Sequence, residues 1–164
     1  MHVCIVYDTK REKGATKQIV EWMMEELKTI SDIRVDVKRP WEVENFDYDL
    51  FVVGSPIYWE KPMKSIVNFL SFNRDNLKNR KVAVFILCLA EAFGKYTKGY
   101  IEAQYLKPLE KEVLNSLIES GVFRGWLRNP DYRQKQICSK WIRKVIEKAK
   151  AAKRESITNG VVAL

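Results

Sequence analysis

Histidine is almost missing from this chain. His2 is the only imidazole, which excludes a multi-histidine metal centre and a Ser-His-Asp triad built on a buried base. Cysteine is nearly as scarce. Cys4, Cys88 and Cys138 are odd in number, far apart and never in a C-x-x-C pair, so neither a zinc site nor a disulfide framework is expected. Reduced thiols and a cytoplasmic chain are expected instead. Cys4 and Cys88 fall in apolar strand-like runs, where cysteine acts as a small core residue. Long hydrophobic runs are also lacking: none reaches the ~18 residues that a membrane span needs. The chain enters a strand-like segment at residue 3, so no secretory leader is expected.

What the chain does have is enough apolar content for one core. Its 164 residues are 46% hydrophobic and 30% charged, which fits a single globular domain. The net charge of +8 is unevenly placed. Residues 1–123 carry 18 basic and 18 acidic side chains, whereas 124–154 carry 11 basic against 2 acidic. Local excess of this kind describes a partner surface rather than a fold.

Five strand-like runs, at 3–7, 33–37, 50–54, 82–89 and 122–126, alternate with helix-like segments. Three are nearly continuous apolar runs, as for strands covered on both faces. Ile33-Arg34-Val35-Asp36-Val37 alternates, as an edge strand with one wet face does. Helices are predicted over 15–30, 63–72, 100–120 and onward from Asn129-Pro130-Asp131. Gly121 is read as the stop of the third helix, and Ile137, Trp141, Val145 and Ala149 as the buried row of the fourth. Residues 155–164 form a tail after a domain spanning 1–154, and disorder, packing on a neighbour and an extra strand all remain open for it. Strand–helix alternation predicts an α/β fold with a five-stranded parallel sheet, order 2-1-3-4-5. Its switch point lies between strands one and three, so the loops after those strands border one crevice.

The second of these loops is the most informative stretch. After the apolar run Leu50-Phe51-Val52-Val53 come Gly54-Ser55-Pro56-Ile57-Tyr58-Trp59, a flexible backbone followed by two large aromatics. Such a segment suits a flat, partly apolar ring, and a flavin fits that description. Tyr58 and Trp59 can stack on a ring or cover the crevice. The first loop, Tyr7-Asp8-Thr9-Lys10-Arg11-Glu12-Lys13-Gly14-Ala15-Thr16, joins a strand to a helix N-terminus, which offers free amides and a positive dipole end to a phosphate. Thr16 serves equally well as a helix cap. The loop is neither a Walker loop nor a G-x-G-x-x-G loop.

Together these two loops resemble those of the flavodoxin family. The resemblance covers nearly the whole chain and most favours the branch of flavodoxin-like, menaquinone-dependent protoporphyrinogen oxidases. Tyr7-Asp8-Thr9 with Gly14-Ala15-Thr16 is similar to that branch's phosphate loop, and Gly54-Ser55-Pro56-Ile57-Tyr58 to its second flavin loop. Tyr105-Leu106-Lys107-Pro108-Leu109 and residues 121–127 resemble its later helix and last strand. The resemblance implies a flavodoxin-like three-layer sandwich that binds FMN, with the phosphate against Thr9, Lys10, Gly14, Ala15 and Thr16. The ring is then placed against Ser55, Pro56, Ile57, Tyr58 and Trp59 and against the loop after strand four, with Leu89, Ala90, Glu91, Phe93 and Tyr96. Glu91 reads either as a ring or substrate contact or as a solvated carboxylate. One departure stands out: Thr9 and Thr16 are seven positions apart where the family usually has five, and the added residues either bulge outward or open the nest.

The function implied is FMN-dependent electron transfer or a flavin-dependent oxidation, with protoporphyrinogen as the specific substrate and a redox partner or quinone as acceptor. The alternative is a flavodoxin-fold interaction module that has lost FMN. The basic segment 124–154 reads as a solvated helix face, or as a surface for anionic lipid at the inner face of the membrane or for an acidic protein. Nucleic acid ranks last, because no recognition motif accompanies the charge.

Overall fold

Apolar, β-branched runs become parallel strands where helices can cover both of their faces. The computed structural model describes residues 1–89, 94 and 97–162. Strands β1 (His2–Tyr7), β2 (Arg34–Lys38), β3 (Leu50–Tyr58), β5 (Lys81–Cys88) and β6 (Leu117–Arg124) form a parallel sheet in the order β2-β1-β3-β5-β6. The two-residue β4 (Lys61–Pro62) pairs antiparallel with the end of β3. With β4 set aside, this is the expected order.

Alternate residues build two cores. Val3 and Ile5 of β1, with Leu50, Val52, Ala83 and Phe85, pack beneath α1 (Ala15–Lys28) and α6 (Arg133–Val162). Cys4, Val6, Phe51, Val53, Val84 and Ile86 face the opposite layer. That layer contains α2 (Lys64–Phe72), α3 (Arg74–Leu77) and a helical run made of α4 (Lys98–Ile101), a π-helical turn at Glu102–Leu106 and α5 (Lys107–Glu110). One row across the sheet pairs Tyr7 with Gly54, Gly54 with Phe85, and Phe85 with Gly121. Large and small residues alternate along it. A Cβ on Gly54 would lie 1.9 Å from the Phe85 ring, and one on Gly121 would lie 2.7 Å from the Trp141 indole.

Several boundaries differ from the sequence reading. β3 does not stop at Gly54. Its pairing with β5 continues through Pro56, opposite Leu87, and its last residues Ile57 and Tyr58 turn back on Lys61 and Pro62. The third helix ends at Glu110 rather than 120, because Leu117–Arg124 are claimed by β5. Gly121 is therefore no helix stop but a mid-strand position under Trp141. In α6 the fully buried row is Cys138, Ile142, Val145 and Ala149, while Ile137 is exposed and Trp141 only half-buried. The α6 backbone continues to Val162, so residues 155–162 extend a helix and add no strand. No helix among the described residues is long and apolar enough to cross a membrane.

Candidate functional site

At the carboxyl ends of β1 and β3 the two loops meet, as the switch point requires. Helix α1 begins at an N-cap glycine, Gly14, with no side-chain cap and no acidic residue in its first turn. Its first backbone bond runs from the Gln18 N–H to the Gly14 carbonyl at 3.3 Å. The amides of Ala15, Thr16 and Lys17 therefore have no helical acceptor, and they sit at the positive end of the dipole. The Thr9 hydroxyl accepts the Arg11 amide at 3.1 Å, and the Gly14 amide donates to the Arg11 carbonyl at 3.0 Å. A Cβ at Gly14 would press on Arg11 at 2.9 Å, so this turn needs glycine.

The added loop residues bulge outward. Arg39, just after β2, donates from Nη2 to both Glu12 carboxylate oxygens, at 3.0 and 3.1 Å. Its Nη1 reaches Asp8 Oδ1 at 3.0 Å, and its guanidinium lies 4.3 Å from the Tyr7 ring centroid. Buried Asp8 also accepts the Thr9 amide at 2.8 Å and the Ser65 hydroxyl at 2.5 Å. One arginine thus ties the end of β1 and the crest of the loop to β2, and the helix N-terminus stays open. Burial pushes the Tyr7 phenol up, partly offset by the Arg39 charge.

The second loop is a hairpin. Tyr58 pairs with Lys61, which leaves Trp59 and Glu60 as the two turn residues, at φ +49° and +63°. Positive φ at both central positions is the backbone of a type I′ turn, normally built from asparagine and glycine. Glu60 Oε2 accepts the hydroxyls of Tyr100 and Tyr105, at 2.6 and 2.5 Å. These bonds hold its carboxylate below the ordinary value, Tyr100 contributing most. Ser55 closes the base of the hairpin: its hydroxyl donates to the Pro56 carbonyl and accepts the Met63 amide, both at 2.8 Å.

Between the two loops lies a cleft of about 180 Å³. Eight of the expected residues line it: Thr9, Gly14, Ala15 and Thr16 on the helix side, and Pro56, Ile57, Tyr58 and Leu89 on the other. The Thr9 and Tyr58 hydroxyl oxygens are 3.4 Å apart across it. Three expected residues are not brought in. Ser55 is fully buried, with its hydroxyl committed to the hairpin. Trp59 is 91% exposed at the tip of the turn. Lys10 rides over the Tyr58 ring, with Nζ 5.3 Å from the centroid. Ala90, Glu91, Phe93 and Tyr96 lie outside the described residues.

Sequence reading missed Arg11 and the far wall, formed by Leu87, Cys88, Gly125, Trp126 and Leu127. The signal was present, since Gly125-Trp126 follow a strand at its carboxyl end. Reading the strand as 122–126 hid it, whereas β6 ends at Arg124. Trp126 is held by Trp22, centroids 5.6 Å apart. Cys88 is buried at the end of β5, as expected of a packing residue. Burial pushes the Cys4 and Cys138 thiols up to about 12, which leaves them poor nucleophiles.

Free amides, two threonine hydroxyls and, among the described residues, a lining without carboxylates suit a phosphate. Pro56, Ile57, Tyr58 and Trp126 suit a flat ring beside it. The enclosed part is smaller than the ~300–1,000 Å³ of whole ligand pockets, but it shares Leu89, Gly125, Trp126 and Leu127 with a neighbouring groove of about 530 Å³. The residues present therefore fit a phosphorylated flavin.

No curated protein matches the sequence. Solved structures share the fold at low identity. Flavodoxin 1 from Bacillus cereus is 15% identical with a TM-score of 0.61, over 89% of this chain and 97% of that one. A flavodoxin from the domain Archaea is 14% identical with a TM-score of 0.56, over 92% and 99%. The rubredoxin oxygen:oxidoreductase of Desulfovibrio gigas is 12% identical with a TM-score of 0.62, and the match spans 92% of this chain but only 36% of that longer one. Flavodoxins bind FMN. The flavodoxin domain family matches residues 4–156, the span that holds the sheet and both loops, and the chain belongs to that family.

Proposed function

We propose that the protein binds FMN in the cleft between the β1–α1 loop and the β3–β4 hairpin and works as an electron-transfer protein or flavin-dependent oxidoreductase with a redox partner. The observation that carries this reading is the open N-terminus of α1, with three amides free of helical acceptors beside the Thr9 and Thr16 hydroxyls. The Ala15, Thr16 and Lys17 amides and the two hydroxyls hold the phosphate. Pro56, Ile57, Tyr58 and Trp126 bound the ring and exclude water from it. FMN supplies reversible electron transfer when bound, and the protein sets its position and electrostatics.

The finer form of this reading is a protoporphyrinogen oxidase passing electrons to a membrane quinone. Its support is the likeness of residues 7–16 and 54–58 to that branch. Loss of FMN, the rival reading, would follow from a broken nest, yet Arg39 draws Glu12 outward and leaves the helix end accessible. The deciding experiment is the visible spectrum of the purified protein before and after loading with FMN and removal of unbound cofactor. Retained flavin bands are expected, and Thr16→Val together with Gly14→Val should abolish retention. A protein that stays colourless after loading overturns the FMN reading. Porphyrinogen oxidation dependent on an added quinone tests the finer one.

A further inference from the structure

Residues 9–17 hold four cations, Lys10, Arg11, Lys13 and Lys17, and one carboxylate, Glu12. None of the four cations has an ionic partner among the described residues. Such a loop attracts anions. Glu12 works against it. Its side chain is 73% exposed and stands two residues before Gly14, the N-cap of α1. An uncancelled carboxylate there would compete for the positive end of the helix and repel a phosphate.

Arg39 cancels it. Both Glu12 oxygens accept from Nη2, while Nη1 holds buried Asp8 and the guanidinium lies over the Tyr7 ring. The arginine is fixed at its other end as well: its amide donates to Glu42 Oε2 at 2.6 Å, at the start of the 3-10 turn Pro40–Glu42. Its side chain is only 14% exposed, and it does not line the cleft. The charge of Arg39 is therefore committed to two carboxylates and not offered to a ligand. What the cleft offers an anion is different. Thr16 is 3% exposed and lines the cleft, and its hydroxyl has no partner among the described residues.

We propose that Arg39 sets the anion selectivity of the cleft. It is a positioning residue: it acts through Glu12, whose charge it cancels and whose side chain it turns away from the α1 N-terminus. With Arg39 in place the cleft takes a phosphate monoester, and without it the loop's one exposed carboxylate discriminates against the phosphate. The link to a flavin rests on the FMN reading above, whereas the link to phosphate does not.

Isothermal titration of the full chain with FMN and with riboflavin separates the phosphate from the ring, since the two ligands differ only in the phosphate. Arg39→Gln is expected to weaken FMN about tenfold and riboflavin by less than about twofold. The FMN loss should shrink at about 500 mM salt relative to about 20 mM. Adding Glu12→Gln to Arg39→Gln should recover most of the loss, and Glu12→Gln alone should cost nothing. Lys13→Glu, at an exposed position that leaves Arg39 in place, should reproduce the loss, so the test survives an Arg39 variant that fails to fold. Equal losses for FMN and riboflavin overturn the proposal, and so does a loss that ignores salt, because either makes Arg39 a general brace of the loop. A loss in Glu12→Gln as large as that in Arg39→Gln also overturns it, because the ion pair would then act as a tether. Inorganic phosphate, followed by the Gly14 and Thr16 amide resonances, keeps this result apart from the cofactor. An Arg39-dependent phosphate response without retained flavin sinks only the FMN reading. FMN held equally tightly by the unaltered protein and by Arg39→Gln sinks only this one, and no response to phosphate or to FMN overturns both.

Discussion

Trp59 and Glu60 hold backbone angles that side-chain-bearing residues avoid. A tight hairpin beside a candidate binding cleft is where such strain collects. Trp59→Asn should therefore stabilise the protein by about 1 kcal/mol, since asparagine tolerates this region. Chemical denaturation measures it, and a lowered midpoint would show the turn to be unstrained. What holds Glu60 in place is its pair of tyrosine hydroxyls. Those bonds keep its carboxylate below the ordinary 4.5. A lowered folded pKa means their contribution is complete above that value and is lost as pH falls through the folded pKa. Acid should therefore loosen the turn, visible as a shift of the Trp59 indole resonance at a pH below the ordinary glutamate value. Glu60→Gln should abolish that titration, and an unchanged titration in the variant would assign it to another group. Thr9, Gly14 and Thr16 were legible as lining of the candidate cleft because hydroxyls and a glycine at a strand–helix junction carry local chemistry, and Tyr58 because an aromatic follows the apolar run of β3. Asp8 and Arg39 were not, since their roles come from contacts between residues 8, 12, 39 and 65 that only the folded sheet creates.

At the scale of elements, β1, β5 and α1 could be read from their apolar period alone, because burial on both faces or one stripe writes itself into the sequence. β3 and β6 were found too, but the end of β3 and both limits of β6 were not. Gly54-Ser55-Pro56 carries turn chemistry, yet pairing with β5 holds it extended as far as Pro56. Residues 117–124 fit a helical stripe as well as a strand, and the exposed edge of β5 decides between them. Gly54 shows what that extension gains. Its missing side chain lets the Phe85 ring cross the sheet and meet Phe123 and Trp141 edge-on, at 5.8 and 5.9 Å. Gly54→Ala should cost about 1–3 kcal/mol through overpacking, read as a lower melting temperature. Gly54→Ala combined with Phe85→Leu should recover part of the loss, and no recovery would mean that the strand backbone, rather than the ring, is the obstacle. The outer edge of β6 is closed by side chains of α6. Trp141 donates to the Ser120 carbonyl at 3.1 Å, Lys148 to the Ile118 carbonyl at 3.3 Å, and Gln134 accepts the Arg124 amide. An edge so covered is a poor template for another strand.

At the scale of the whole molecule, the basic segment is mostly turned inward on the protein's own acids. Lys135 pairs with Glu25 and Arg143 with Glu26, which clamps α6 to α1. Lys144 and Lys148 both reach Glu119 on β6, at 3.0 and 2.7 Å, and Lys153 reaches Asp49 at 3.7 Å. Arg124 and Arg133 flank Asp131. The sequence showed the charge excess but not these partners, which come from distant parts of the chain. Arg128, Lys140, Lys150 and Arg154 have no ionic partner among the described residues. At about 100° per residue, Lys140, Lys150 and Arg154 fall within an arc of ~80° on α6, so they act together on one side. At roughly 1 kcal/mol per cation near an anionic surface, three such residues give weak attachment that salt screens away. Sedimentation with phosphatidylserine-containing vesicles should show binding at about 20 mM salt and none at about 150 mM. Lys140→Gln, Lys150→Gln and Arg154→Gln together should remove the low-salt binding without changing the melting temperature. Lys144→Gln with Lys148→Gln should lower the melting temperature and leave vesicle binding in place. If that second pair also released the protein from vesicles, the ion pairs with Glu119 would have to open at the lipid surface, and the whole segment would count as one membrane-facing patch.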